Sequence, residues 1–469
     1  MKKDPNSNSE NYFFDVDFLD TVLPLKDFVF LSVLTVMIAG LFTFHLRESS
    51  PYINLLGWKQ ALANSLLIVL LLSSLGFYLL FRKNKVLKNK RLRDFLAIVT
   101  LIIVLFVKGA NIVSPFLIPV AFGAALISLF IGAEVGLVMS IGFSFLIGIE
   151  GGFNSVIDPM VVSFLGALVG ILGVQDIKRG FDLTKTGIAV GGVNMLAILC
   201  FQIPSLKMPY YSSVEWPQFG WAGINGLVSA LFVAGAIPLA ERMTQKTSPI
   251  GLMELLNPSH PLLERLREEA PGSYHHSKNI ASLGENAARA IDADPLLTLV
   301  GGYYHDIGKM VRPEFFIENQ TTGDNPHDEL TPTMSKIILT SHIKQGIKLG
   351  KRYGLKEDIL EFIPTHHGTS VIRYFYLKAL REKREDVDLA KEEFLYDAEL
   401  PKTKETSIIA LADPVEAAAR SLDEEMSKDV EQIVEEEIQK KIDQGQLDES
   451  PLTMDDIEKI KEEFVSTVI

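Results

Sequence analysis

The sequence predicts an all-α protein in two parts, a polytopic transmembrane helical domain followed by a soluble all-helical domain. Three observations carry this. The 469 residues are 48% hydrophobic yet hold 45 basic and 58 acidic side chains, so charge and hydropathy must be segregated along the chain. Residues 28–240 are mostly long apolar runs, whereas 241–469 are charged throughout. In that second part apolar residues recur at helical spacing, and the alternating pattern of strands is nearly absent. The resulting division is an N-terminal tail (1–27), a membrane domain (28–240), a soluble domain (241–425) and an acidic helical tail (426–469).

Crossing about 30 Å of hydrocarbon takes roughly 20 apolar residues. Candidate spans lie at 28–46, 61–81, 94–112, 113–131, 133–149, 158–175, 186–204 and 219–240. Pro115 and Pro119 interrupt the fourth, and Lys108 and Glu134 sit near span ends. Loop charge sets the orientation. RKNKVLKNKRLR (82–93) carries seven basic residues, and QDIKRGFDLTK (175–185) and ERMTQK (241–246) carry more. Eight spans put all three segments on the cytoplasmic side with the N-terminal MKK, whereas seven do not, so both termini are expected in the cytoplasm. Mid-span charges are scarce, which argues for an anchor or sensor over a transporter.

Composition excludes other classes. The net charge of −13 and the lack of a broad basic face argue against nonspecific nucleic-acid binding. The single cysteine, Cys200, can form no internal disulfide. The first residues, MKKDPNSNSENYFFDVDF, are polar and acidic and do not read as a cleavable signal peptide.

The soluble domain holds the chemical signal. Eight of nine histidines fall between 260 and 367. Helical periods run over Ser277–Ile291, Pro295–Met310, Pro332–Tyr353, Glu357–His366 and Glu405–Leu422, and they carry His276, His305–Asp306, His342, His366–His367 and Asp413. A single buried histidine is usually a hydrogen-bonded core residue, and Asp413 alone could cap a helix. Jointly they read differently. Imidazole and carboxylate are good ligands for first-row transition metals, and helical bundles build such sites from inward-facing side chains on several helices. Unsatisfied, each buried polar group would cost about 1–3 kcal/mol.

The ordered set His276, His305–Asp306 and Asp413 resembles the metal signature of the HD superfamily of phosphohydrolases. The segments PGSYHHS, GGYYHDIGKM, RPEFFIENQ, NPHDEL, SHIKQG, HHGTS and LADPVEAAARSL resemble the bacterial seven-transmembrane HD proteins, whose members hydrolyse cyclic di-AMP to the linear dinucleotide. The likeness covers the soluble part to about residue 425 and extends to the helical membrane region. Two features depart from that family. RESSPYINLLGWKQ (47–60) is a short loop where a large extracytoplasmic domain is usual, and Pro414 follows Asp413 in place of a small polar residue.

The resemblance implies a binuclear-metal phosphodiesterase in the bacterial cell membrane, with a cyclic dinucleotide as substrate and two divalent ions, Mn or Fe. His276, His305, Asp306 and Asp413 resemble the ligands of one ion, and Asp306 bridges to a second held by His342 and His366. His367 either ligates or contacts phosphate. Lys309 suits a phosphate oxygen as a point charge, placing it with Asp306 nearest the chemistry. His327, in the polar segment NQTTGDNPHDEL (319–330), could reach substrate or belong to a plain turn. The acidic tail is expected to pack as a cap or against a second protomer. Other readings are a phosphodiesterase for cyclic di-GMP, disfavoured because no Gly-Tyr-Pro element follows His367, and a catalytically inactive nucleotide-sensing receptor, disfavoured because no ligand of the set is missing.

Overall fold

The computed structural model describes residue 38 and residues 55–110, 112–151, 157–175, 177–202, 216–320, 325–382, 391–420 and 430–468. The tail at 1–27, nearly all of the candidate span at 28–46, most of the loop at 47–60 and the expected boundary at 425–426 lie outside these residues. The chain forms two compact units that divide after Thr244. The described residues are helical apart from turns and one isolated bridge between Val371 and Leu395.

The first unit contains α1 (Leu55–Arg82), α2 (Asn84–Lys88), α3 (Lys90–Ala110), α4 (Val120–Phe130), α5 (Ala133–Gly151), α6 (Ile157–Gln175), α7 (Gly180–Gln202) and α8 (Trp216–Thr244). Among the described residues five helices, α1 and α5–α8, are long and apolar enough to cross a bilayer. This departs from the eight-span expectation at two described places. The uncharged stretch of α3 runs only from Phe95 to Val107. The candidate at 113–131 divides into a single 3₁₀ turn, Pro115–Leu117, and the 11-residue α4. At 1.5 Å per residue α4 is about 16 Å long, too short to span alone.

The cause of that division is local. Pro115 and Pro119 offer no N–H, and Ile118 is extended, so the Phe116 and Ile118 carbonyls leave the helical ladder. The buried Asn225 amide of α8 donates to both, at 2.7 and 2.9 Å. Irregular backbone at membrane depth persists only with such partners. Nearby, Lys108 at the end of α3 pairs with Glu150 at the end of α5, at 2.6 Å.

The second unit contains α9 (Pro249–Leu255), α10 (Pro261–Glu269), α11 (Pro271–Ala290), α12 (Pro295–Tyr304), α13 (Pro332–Arg352), α14 (Glu357–Leu360), α15 (Phe362–Thr365), α16 (Arg373–Glu382), α17 (Lys404–Ala419), α18 (Val430–Asp443) and α19 (Met454–Val468). Proline opens α9–α13, where its missing N–H costs nothing. Ser248, Asp294, Thr331 and Thr403 cap α9, α12, α13 and α17 through their side-chain oxygens. Two large apolar clusters result, beside a small one of Ile372, Phe375, Ala379 and Phe394. One joins α11 and α17 to α18 and α19 through Ile280, Leu411, Val434, Ile438, Ile460 and Phe464. The other joins α10, α12, α13 and α14 through Leu262, Leu266, Tyr304, Ile343 and Ile359. The acidic tail is therefore not a solvated appendage. Its two helices bury an apolar face in the core of this unit.

Candidate metal centre

Five elements drawn from both large clusters send polar side chains to one place. His276 comes from α11, His305 and Asp306 from the end of α12, His342 from α13, His366 and His367 from the turn after α15, and Asp413 from α17. Two glycines permit the approach. A Cβ at Gly302 would overlap the Ala281 backbone, and one at Gly308 would overlap the His342 carbonyl. Larger residues there would push α12 off α11 and the following turn off α13.

The helix expected over Pro295–Met310 stops at Tyr304. Asp306 leaves helical geometry at φ −112°, ψ 15°, and a 3₁₀ turn, Ile307–Val311, follows. Consecutive residues on an α-helix point about 100° apart. The break lets the adjacent His305 and Asp306 face the same point.

Asp306 is the centre of the arrangement. Its Oδ2 faces His305 Nε2 at 3.2 Å and His276 Nε2 at 3.6 Å. Its Oδ1 faces His342 Nε2 at 3.5 Å and His366 Nε2 at 3.6 Å. Asp413 closes the outer side, with Oδ1 3.2 Å from His276 Nε2 and Oδ2 3.4 Å from His367 Nδ1. Pro414 does not prevent this reach.

The imidazoles are oriented from behind. Nδ1 of His305, His342 and His366 bonds to the carbonyls of Gly302, Leu339 and Phe362, at 2.7, 2.6 and 3.2 Å. A neutral ring whose Nδ1 carries the proton turns a bare Nε2 lone pair inward. These three Nε2 atoms and Asp306 Oδ1 are buried without a hydrogen-bond partner. Four such orphans in one cluster are costly unless something satisfies them together. A divalent cation does so, and the donor set of imidazole and carboxylate suits a transition metal. Ligand atoms of His276, His305 and Asp413, of His305, Asp306 and His366, and of His342, His366 and His367 lie within 4.8 Å of one another in each group. These donors are close enough together to hold a divalent cation.

Charge agrees with geometry. Burial pushes the Asp306 carboxyl up, but Lys309 and the flanking histidines outweigh it and hold the group well below the usual carboxylate range. Burial drives His342 and His367 down and takes His366 to about 3, so all three rings remain neutral. His276 differs. Burial lowers it, but hydrogen bonds to Asp413 and Glu416 prevail and raise it to about 9. Lys309 Nζ lies 2.7 Å from Asp306 Oδ2 and 2.8 Å from Glu318 Oε1, a buried cation inside the cluster.

His327 is not brought into the cluster. It is buried between the Phe315 and Phe375 rings, and its Nε2 bonds to the Phe315 carbonyl at 3.0 Å. Of the two expectations for this residue, the position fits the turn, because its ring packs and ties down the chain at Phe315.

Other residues of the site escaped the sequence reading. Glu416 Oε2 accepts from His276 Nδ1 at 2.6 Å, and Asn279 donates to Glu416 Oε1 at 3.1 Å. The signal was available, since Glu416 lies three residues after Asp413 and so shares its helix face. Glu318 is held by Lys309 and by the Ser273 hydroxyl. The Tyr396 ring stacks on His367 at 4.2 Å. Neither carried a pattern that singled it out.

Comparison with known proteins agrees with this architecture. Residues 58–248 match the family described as "7TM receptor with intracellular HD hydrolase", and residues 273–418 match the HD domain. The cyclic-di-AMP phosphodiesterase PgpH of Bacillus subtilis is 34% identical over 417 residues, covering 86% of this chain and 58% of that protein. The protein of the same name from Listeria monocytogenes is 30% identical over 453 residues, covering 96% and 58%. The chain thus spans a little over half the length of these relatives. The crystal structure of the L. monocytogenes PgpH HD domain is 39% identical, covers 45% of this chain and 97% of its own, and has a TM-score of 0.42. The same domain in complex with cyclic-di-AMP is 40% identical, with a TM-score of 0.43. With a membrane region of the first kind joined to a domain of the second, the chain belongs to the seven-transmembrane proteins with an intracellular HD hydrolase.

Proposed function

We propose that this multi-pass membrane protein is a metal-dependent phosphodiesterase that hydrolyses cyclic di-AMP to linear di-adenylate, with its HD domain and both termini in the cytoplasm. One observation carries the reading: the two oxygens of Asp306 face two separate pairs of inward imidazole nitrogens. His276, His305, Asp306 and Asp413 would hold one divalent ion, and His342, His366 and His367 with Asp306 the other. Two such ions, Mn or Fe, supply Lewis-acid polarisation of the phosphodiester and a lowered pKa for water. The choice of cyclic di-AMP is supported by the named activity of the two PgpH relatives.

The chain's own residues do the rest. Lys309 sits against Asp306 and offers the site a positive charge, where phosphate oxygens gain negative charge in the transition state. Glu416 fixes the ring plane of His276. The backbone carbonyls behind His305, His342 and His366 hold Nδ1 of each ring and aim its Nε2 into the site.

The test is incubation of the detergent-solubilised full chain with cyclic di-AMP and cyclic di-GMP, with and without Mn²⁺, beside Asp306→Ala. Metal-dependent di-adenylate formation that the variant lacks is the expected result. Equal turnover of cyclic di-GMP would overturn the base preference. Nucleotide binding without hydrolysis under any metal would replace the enzyme with a receptor.

A further inference from the structure

The turn after α15 places two adjacent histidines in the site without a helix to direct them. His366 and His367 are followed by Gly368 at φ +56°, which reverses the chain. One backbone bond, Ser370 N–H to the His367 carbonyl at 3.1 Å, closes that reversal. From outside it is held by Tyr396, whose N–H donates to the Ser370 carbonyl at 3.0 Å, and by the C-terminal hairpin. Lys441 Nζ, on α18, donates to the His366 carbonyl at 3.3 Å and to Ser370 Oγ at 3.2 Å. Gln446, just beyond α18, accepts from Thr369 N–H at 2.8 Å and donates to Thr369 Oγ1 at 3.0 Å. Lys441 is 8% exposed and Gln446 3% exposed.

We propose that Lys441 and Gln446 are positioning residues of the metal centre, and that the hairpin α18–α19 is therefore a working part of the hydrolase. It lies outside the HD-domain match, which ends at residue 418. The inference rests on the reading of the cluster as a two-ion site.

The chemistry favours a positioning role over simple anchoring. An ammonium buried on a carbonyl and a hydroxyl is an expensive way to hold a helix, and the carboxylates whose charge reaches it are Asp413 of the site and Glu437 of its own helix. The apolar face of α18, Val434 and Ile438, already docks it in the core. Removing Lys441 or Gln446 frees the histidine turn while leaving that face in place. The effect should then fall on the ion held by His342, His366 and His367, and spare the one held by His276, His305 and Asp413.

The experiment is Mn²⁺ titration of the metal-free full chain in detergent, read by loss of the free-Mn²⁺ EPR signal. Wild type is compared with Lys441→Met and Gln446→Leu, and melting of the metal-free proteins provides the folding control. The expected result is two ions per wild-type chain, and variants that lose about 10- to 100-fold affinity for one ion only, as supporting contacts to ligands typically do. The two substitutions remove different hydrogen bonds on one turn, so a folding defect in either leaves the other to decide. Wild-type affinity for both ions in a folded variant would overturn the proposal. So would equal weakening of both ions in step with lowered melting, the signature of a structural anchor. A wild-type chain that binds no Mn²⁺ would overturn the two-ion reading and this inference together.

Discussion

Replacing Glu416 tests how the site orients its first ligand. The carboxylate is 6% exposed and accepts the His276 Nδ1 proton at 2.6 Å. In Glu416→Ala that proton has no partner and too little water. A lost hydrogen bond to a charged group removes about 1.5–3 kcal/mol. At 1.4 kcal/mol per tenfold, the loss in Mn²⁺ affinity should be roughly 10- to 100-fold, the range known for contacts that support ligands. Glu416→Gln should lose less. Its amide oxygen can still accept from Nδ1, and the exposed Asn279 can turn its own amide to suit. Only the charge assistance disappears, which is about half the bond strength, so a loss of about 3- to 12-fold follows. The assay is chelator competition on metal-free protein, with turnover of cyclic di-AMP measured in parallel. Alanine and glutamine variants that both bind within twofold of wild type would refute the reasoning and leave Glu416 as an ordinary ion-pair partner of Arg420.

Three further outcomes are expected. Lys309→Met should keep its metal but lose about 100-fold or more in turnover, as loss of a charge-stabilising donor does; turnover within threefold of wild type would remove Lys309 from the mechanism. Metal affinity should rise with pH. The metal-free His276 keeps its proton up to about pH 9, so below that value binding must expel a proton. One proton released gives about tenfold tighter binding per pH unit, levelling off above pH 9, and a flat profile from pH 7 to 9 would contradict it. Asn225→Leu should lower the melting temperature in detergent. It strands the Phe116 carbonyl at about 1–3 kcal/mol, whereas the Ile118 carbonyl keeps the Val120 N–H at 2.9 Å, and an unchanged midpoint would show that another group satisfies Phe116.

What could be read from the sequence was what chemistry demands of residue type. Metal ligation restricts a position to a few side chains, so His276, His305, Asp306, His342, His366, His367 and Asp413 stood out without knowledge of their contacts, and all seven converge. Helices also declared themselves through the 3.6-residue period, and the prolines opening α9–α13 are local signals. The failures have one physical source: properties created by a distant partner. An unbroken apolar period crosses residue 305, but the turn there brings Gly308 so close to α13 that only a residue without a Cβ fits. Pro115 and Pro119 announced an interruption, yet what makes it tolerable in the membrane unit is Asn225, more than a hundred residues later.

The acidic tail sharpens the point. Lys441 lies among acidic neighbours in a helix of mixed charge, the pattern of a solvated surface. Its burial follows only because Val434 and Ile438 turn the helix inward on α17, which carries Lys441 to the back of the histidine turn. Local pattern reports which face of a helix is apolar, not which polar residue at the edge of that face is carried under cover. The local partner of Lys441, Glu437 a helical turn earlier, would be served equally well by a solvated lysine and does not account for the burial. The position of the lysine is explained by the carbonyl of His366, and so by the site that histidine serves.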